Sequence, residues 1–298
     1  MGYFYIFLSV FFNASKGFSS KKVSASLTTE RQNIVFNTKR MLLSFFFALG
    51  VALLSSSIKD LAPTKAELLI CAVAGLSMTA FALFWQITIR QNAYMLASAG
   101  SSASFIVPVM AGLLFFDETF TLSAGLSIFL IILSLFFLLK YDSALSGKTT
   151  KRELALVFSL ILSQGVMQCM QKLYVLHFPQ KSISVYNFYY FLFAFLFSLL
   201  LLFCFSKSPE KKEEKRPTPP RQVVYLFIMA GSLFAVSFFQ TMAAKTVDAI
   251  ILYPLLSGLS LVGGALMATI LFREKPDRNG IIGILLVLSA VVISKFSF

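Results

Sequence analysis

The sequence predicts an all-α integral membrane protein of ten transmembrane helices arranged as two inverted five-helix repeats. Three observations carry this expectation. Of 298 residues, 57% are hydrophobic and 13% charged, too little charge to coat a soluble protein of this size. The apolar residues gather into ten runs close to the roughly 20 residues that a helix needs to cross about 30 Å of hydrocarbon. Short motifs of the first half return in the second at a nearly constant offset.

The predicted spans are 2–18, 34–56, 66–89, 92–116, 121–140, 153–176, 183–206, 222–244, 247–272 and 279–296. The first is the least regular, because Asn13, Ser15 and Lys16 follow the apolar stretch Tyr3 to Phe12 before a bilayer is crossed. It has neither a basic leading region nor a small-residue cleavage site after a clean apolar core, so it reads as a helix and not a signal peptide. Arg40 opens the second span, and the fourth holds Gly100, Pro108 and Gly112 and closes on Asp117 and Glu118. The fifth and tenth carry no amide or charge across the membrane. Between the seventh and eighth, residues 207–221 mix both charges with proline and read as a flexible loop. The ninth contains Pro254, Gly258, Gly263 and Gly264, small or helix-breaking residues that permit close packing or bending.

Lys16 and Lys172 stand 156 residues apart, as do Ala74-Gly75 and Ala230-Gly231, and Glu118 and Glu274. FALFWQ from Phe81 resembles AVSFFQ from Ala235, and VFN from Val35 resembles VYN from Val185. The predicted halves are residues 1–146 and 147–298, each with five helices. An odd number inserts the second half upside down relative to the first.

These residues carry a resemblance. The stretch YPLLSGLSLVGGALMATILFREKPDRNGIIGILLVLSAVVI resembles the last two helices of small multidrug resistance proteins, and the whole chain resembles their ten-helix relatives of the EamA type in the drug/metabolite transporter superfamily. Asp117-Glu118 stands where that family commonly has Gly-Glu, and Arg40 where its second helix often carries an arginine. The resemblance implies a basket of helices one to four and six to nine around a central cavity, with helices five and ten outside.

Of the 26 basic residues, 17 fall in the connections 1-2, 3-4, 5-6, 7-8 and 9-10, and five on the opposite side. The positive-inside rule then places the first face in the cytoplasm and both termini outside the cell membrane, against the commoner family arrangement.

An ionisable group at a helix centre in hydrocarbon costs at least about 2.5 kcal/mol, so polar positions inside the spans are informative. Ser9, Asn13 and Lys16 form a stripe on the first helix, and Gln164, Gln168 and Lys172 one on the sixth. The second helix offers Asn37 and Arg40, the seventh Asn187 and Tyr190, the third Gln86, the eighth Gln240, and the ninth Tyr253. The candidate substrate-binding residues are therefore Asn13, Lys16, Asn37, Arg40, Gln86, Gln168, Lys172, Asn187, Gln240 and Tyr253. Each has a rival role, because amides also bond neighbouring helices and long cations also snorkel to headgroups.

Small multidrug resistance proteins, which the last two helices resemble, rely on a membrane-embedded glutamate in their first helix, and no acid occurs here between Met1 and Thr29. Proton-coupled efflux of lipophilic cations is thus disfavoured, and Glu118 and Glu274 read as interfacial helix ends. No paired carboxylates, Ser-His-Asp set, metal cluster or phosphate-binding glycine loop is visible, so neither an enzyme nor a cofactor is expected. Cys71, Cys169 and Cys204 sit in separate apolar runs and read as small hydrophobes. The net charge of +13 is accounted for by cytoplasmic loops and does not require nucleic acid. The expected function is secondary transport of a small anionic or zwitterionic metabolite, by a monomer or homodimer in the lipid bilayer. The alternatives are a multidrug or lipid-linked anion flippase and, less in keeping with the residues, a membrane-embedded transferase.

Overall fold

A computed structural model describes residues 1–24, 27, 29–55, 61–90, 100–142, 151–205, 220–272 and 278–293. Lys59, Glu274 and nearly all of the charged segment 207–221 lie outside the described residues. The described chain is helical: α1 Gly2–Ser24, α2 Glu30–Ser55, α3 Lys65–Arg90, α4 Ile106–Phe115, α5 Leu122–Asp142, α6 Lys151–His177, α7 Ile183–Phe205, α8 Pro220–Ala244, α9 Ala249–Phe272 and α10 Arg278–Ile293. Among the described residues, α2, α3, α6, α7 and α8 are long and apolar enough to span a bilayer. The 23 residues of α1 suffice in length, but Asn13 and Lys16 dilute its apolar run.

Two expected starts and stops move. The first helix does not end at 18 but continues to Ser24, so Lys16 has two further helical turns beyond it. The second begins at Glu30, not 34, which sets Arg40 ten residues inside the helix. Thr29 explains the earlier start, because its hydroxyl accepts from the Gln32 amide at 3.2 Å as a helix-capping side chain does. Neither cation is therefore at a helix end.

In the fourth predicted span, residues 100–103 are helical, Ser104 and Phe105 turn, and α4 resumes at Ile106. Pro108 supplies the cause. It has no amide hydrogen to give the Ser104 carbonyl four residues back, and that carbonyl accepts instead from Val107 at 3.2 Å.

The principal helix contacts are kept when each helix is exchanged for its counterpart five places on, although α9 also packs on α5 and α10 in contacts that α4 does not match among the described residues. Helix α1 packs on α8 as α6 packs on α3; α1 meets α9 as α6 meets α4; α2 meets α8 as α7 meets α3. The pairs α2 with α7, α4 with α9, and α5 with α10 lie on the exchange axis itself.

Apolar packing gains little between helices that are already in hydrocarbon, so hydroxyls and small residues hold these contacts. Thr79 donates to the Ala194 carbonyl at 3.1 Å, Ser44 to Ala230 at 3.0 Å and Ser127 to Ala290 at 3.2 Å. Gly75 lets α3 touch the α7 backbone: a Cβ there would stand 2.7 Å from both the Ala194 nitrogen and the Phe193 Cβ. Phenylalanines such as Phe7, Phe11, Phe129, Phe158 and Phe203 face outward, where a lipid-facing surface needs them.

Candidate functional site: a polar cavity between the two halves

A cavity of about 110 Å³ lies between α1, α3, α6, α7, α8, α9 and the short helical stretch 100–103 before α4. Ser9, Asn13 and Lys16 reach it from α1, Gln164, Gln168 and Gln171 from α6, Tyr186 and Tyr190 from α7, and Ser237 and Gln240 from α8. Helices α2, α4, α5 and α10 contribute no lining residue among those described, which was expected of α5 and α10 and not of α2 and α4.

Helical angles explain which side chains arrive. At about 100° per residue, positions 9, 13 and 16 stay within about 60° of one another, and so do 164, 168 and 171. Position 172 is turned about 80° from 164. The cavity-lining residues of α1 and α6 thus match at an offset of 155, where Lys16 is paired with Gln171, and not at the sequence offset of 156, where it is paired with Lys172. Lys172 is not among the residues lining the cavity.

Lys172 is instead fully engaged. Its ammonium lies 3.2 Å from Glu118 Oε1, with both side chains at most 6% exposed, and donates to the carbonyls of Ala244 at 3.2 Å and Val247 at 2.9 Å. The Glu118 carboxylate also accepts the first two amides of α9, Ala249 at 2.8 Å and Ile250 at 3.0 Å. A carboxylate at a helix N-terminus satisfies donors that have no partner within the helix and faces the positive end of its dipole. Glu118, expected as an interfacial helix end, is therefore a buried tie from the first half to two helices of the second. Asp117 before it has a positive φ of 53°, the left-handed conformation that glycine takes freely and aspartate tolerates better than most. Gly112 leaves room for the carboxylate, since a Cβ there would come within 2.7 Å of Glu118 Oε2.

A second carboxylate strengthens the same face. Glu67 and Thr64 form a reciprocal cap on α3, with Thr64 N to Oε2 at 2.7 Å and Glu67 N to the threonine hydroxyl at 3.2 Å. Lys181, in the α6–α7 connection, stands 3.6 Å from Glu67 Oε1.

Lys16 has no ion pair among the described residues. Arg40 is within electrostatic reach of it, like charge facing like. The Arg40 Nε is buried and has no hydrogen-bond partner among the described residues, and Tyr190 is within its electrostatic reach. Arg40 itself lies beside the cavity and is not one of its lining residues.

Of the remaining sequence candidates, Asn13, Gln168 and Gln240 line the cavity, whereas Asn37, Gln86, Asn187 and Tyr253 do not. Asn187 is fully buried and donates to the Ile183 carbonyl one turn back at 3.0 Å. Asn37 is 7% exposed, and its Oδ1 has no partner among the described residues. Gln86 is half-buried. Tyr253 is buried behind the wall and donates to the Gln168 carbonyl at 2.8 Å, fixing α6 against α9.

Residues that the sequence did not single out are Gln171, the serines at 101, 102, 257 and 260, and the apolar lining of Met78, Phe81, Met167, Leu233 and Leu256. Spacing of seven from Gln164 was the available signal for Gln171. The serines carried none, since serine recurs on nearly every helix here.

A family comparison decides the class. The EamA-like transporter family matches residues 152–296. The second half of the chain is an EamA-like transporter domain. That family is one of membrane transporters, and the long apolar helices of the described chain fit a multi-pass membrane protein. No curated protein matches the sequence. One solved structure, described as "Crystal structure of protein", is similar over 96% of this chain and 95% of its own, with a TM-score of 0.75 at 12% identity. At that identity the likeness carries the fold alone. The EamA-like domain contributes α6 to α9 to the cavity wall, and Lys172 to the tie with Glu118.

Proposed function

We propose that the protein is a secondary transporter of a small anionic or zwitterionic metabolite, working by alternating access of halves 1–146 and 147–298 around the cavity. The carrying observation is the contrast between the two lysines. Lys172 is matched by a buried carboxylate, while Lys16 faces the cavity beside Arg40 with no carboxylate among the described residues. Buried charges are kept where something compensates them, and a transported anion would do so at Lys16. Arginine adds a planar donor set suited to carboxylate or phosphate. No acid is among the cavity-lining residues, which disfavours a lipophilic-cation exporter.

Liposomes holding the purified protein should take up radiolabelled phosphate- or carboxylate-bearing metabolites. Lys16→Ala should reduce uptake more than tenfold, and Lys245→Ala, at an exposed position, should leave it intact. Equal loss in both variants, or uptake of lipophilic cations untouched by Lys16→Ala, would overturn the reading.

A further inference from the structure

The second end of the cargo is written in the three cavity amides of α6. Gln164 accepts from the Ser101 hydroxyl at 2.6 Å, and Gln171 donates to the Ser237 carbonyl at 3.1 Å and the Thr241 hydroxyl at 2.6 Å. Gln168, between them, is 3% exposed and lines the cavity, yet its Oε1 accepts no hydrogen bond among the described residues. Its backbone carbonyl accepts from Tyr253, which fixes the stretch of α6 from which the amide projects. A buried carbonyl without a donor is costly, and the protein satisfies both neighbours on the same stripe.

The depth of this oxygen relative to the cations follows from the α8 contacts. Ser9 bonds the Val236 carbonyl and Gln171 the Ser237 carbonyl; α1 runs antiparallel to α8 and α6 parallel to it, so Gln168, one turn before Gln171, lies on the Lys16 side of Ser9. Lys16, seven residues along α1 from Ser9, is about 7 to 8 Å beyond Gln168 at 1.5 Å per residue. One cavity therefore presents unpaired positive charge at one level and an unpaired acceptor at another.

Resting on the anion reading above, we infer that the cargo is an anion bearing a hydrogen-bond donor, a hydroxylated or amino carboxylate or phosphate. Its negative group sits at Lys16, with the Arg40 charge acting from behind the cavity wall, and its far hydroxyl or ammonium donates to Gln168 Oε1. A cavity of about 110 Å³ suits a small cargo.

The test uses the full-length protein in detergent and two matched pairs: glycerol 3-phosphate against propyl phosphate, and 4-aminobutyrate against butyrate. Thermal stabilisation should need roughly tenfold less of the donor-bearing member in at least one pair, the equivalent of one hydrogen bond. The pair that discriminates tells hydroxyl from ammonium. Gln168→Met should erase the preference while keeping the response to both anions, and Lys16→Met should erase the response itself. Equal responses within both wild-type pairs would overturn the inference, as would a preference that survives Gln168→Met. If responses are equal but need Lys16, the anion reading stands and only the role of Gln168 falls. If none of the four stabilises the wild type or competes for uptake, both fall.

Discussion

Glu118 holds Lys172 and the N-terminus of α9 at once: one carboxylate lies 3.2 Å from the ammonium and 2.8 and 3.0 Å from the two amides. Removing one partner of a buried ion pair leaves the other charge uncompensated, at about 3 to 5 kcal/mol. Glu118→Ala should lower the unfolding temperature by several degrees or more. Lys172→Met should do the same, and the double variant should lose less than the sum of the two. Additive losses would show that the two side chains act separately.

Lys16 predicts the reverse sign. Its charge is carried inside a helix with no ion pair among the described residues, beside a second cation. Lys16→Met should therefore raise the unfolding temperature of the ligand-free protein while abolishing anion uptake. A fall in stability comparable to that of Lys172→Met would mean that Lys16 is a structural residue.

Asp117 takes the left-handed conformation without being glycine. An ordinary side chain there costs about 1 to 2 kcal/mol and a β-branched one more. Asp117→Gly should match or exceed the wild type in thermal stability, and Asp117→Val should fall below it. The pair of measurements isolates the backbone, because neither replacement carries a charge.

From the distribution of lysine and arginine we propose that both termini lie outside the cell membrane. A reporter active only in the cytoplasm, fused after Phe298, should stay silent, and the same reporter inserted near Lys212 should be active. Activity at Phe298 would turn the whole topology over and leave the packing unaffected.

Much of this was legible in the residues. Ten apolar runs fixed the helix number, because hydrocarbon permits few other ways of satisfying the backbone. The stripes Ser9, Asn13, Lys16 and Gln164, Gln168 led to the cavity, because helical spacing alone decides which side chains share a face. Lys172 shows where that reasoning stopped. Its place in the repeat matched Lys16, but a shift of one residue in register is a turn of about 100°, enough to take a side chain from the cavity to the wall. Glu118 was misread for a different reason: its partners lie 54, 131 and 132 residues away in sequence, and no local pattern announces an acid that caps a distant helix.

The membrane potential feels these two lysines differently. Moving one elementary charge through 100 mV is worth about 2.3 kcal/mol, whereas a closed ion pair has no net charge to move. The Lys172–Glu118 tie is therefore electrically silent. Lys16 and Arg40 together carry two positive charges, and a dianionic cargo seated at Lys16 would cancel both. The loaded protein would then cross from one state to the other without sensing voltage, and the return of the empty protein would be the step that the membrane potential drives or opposes.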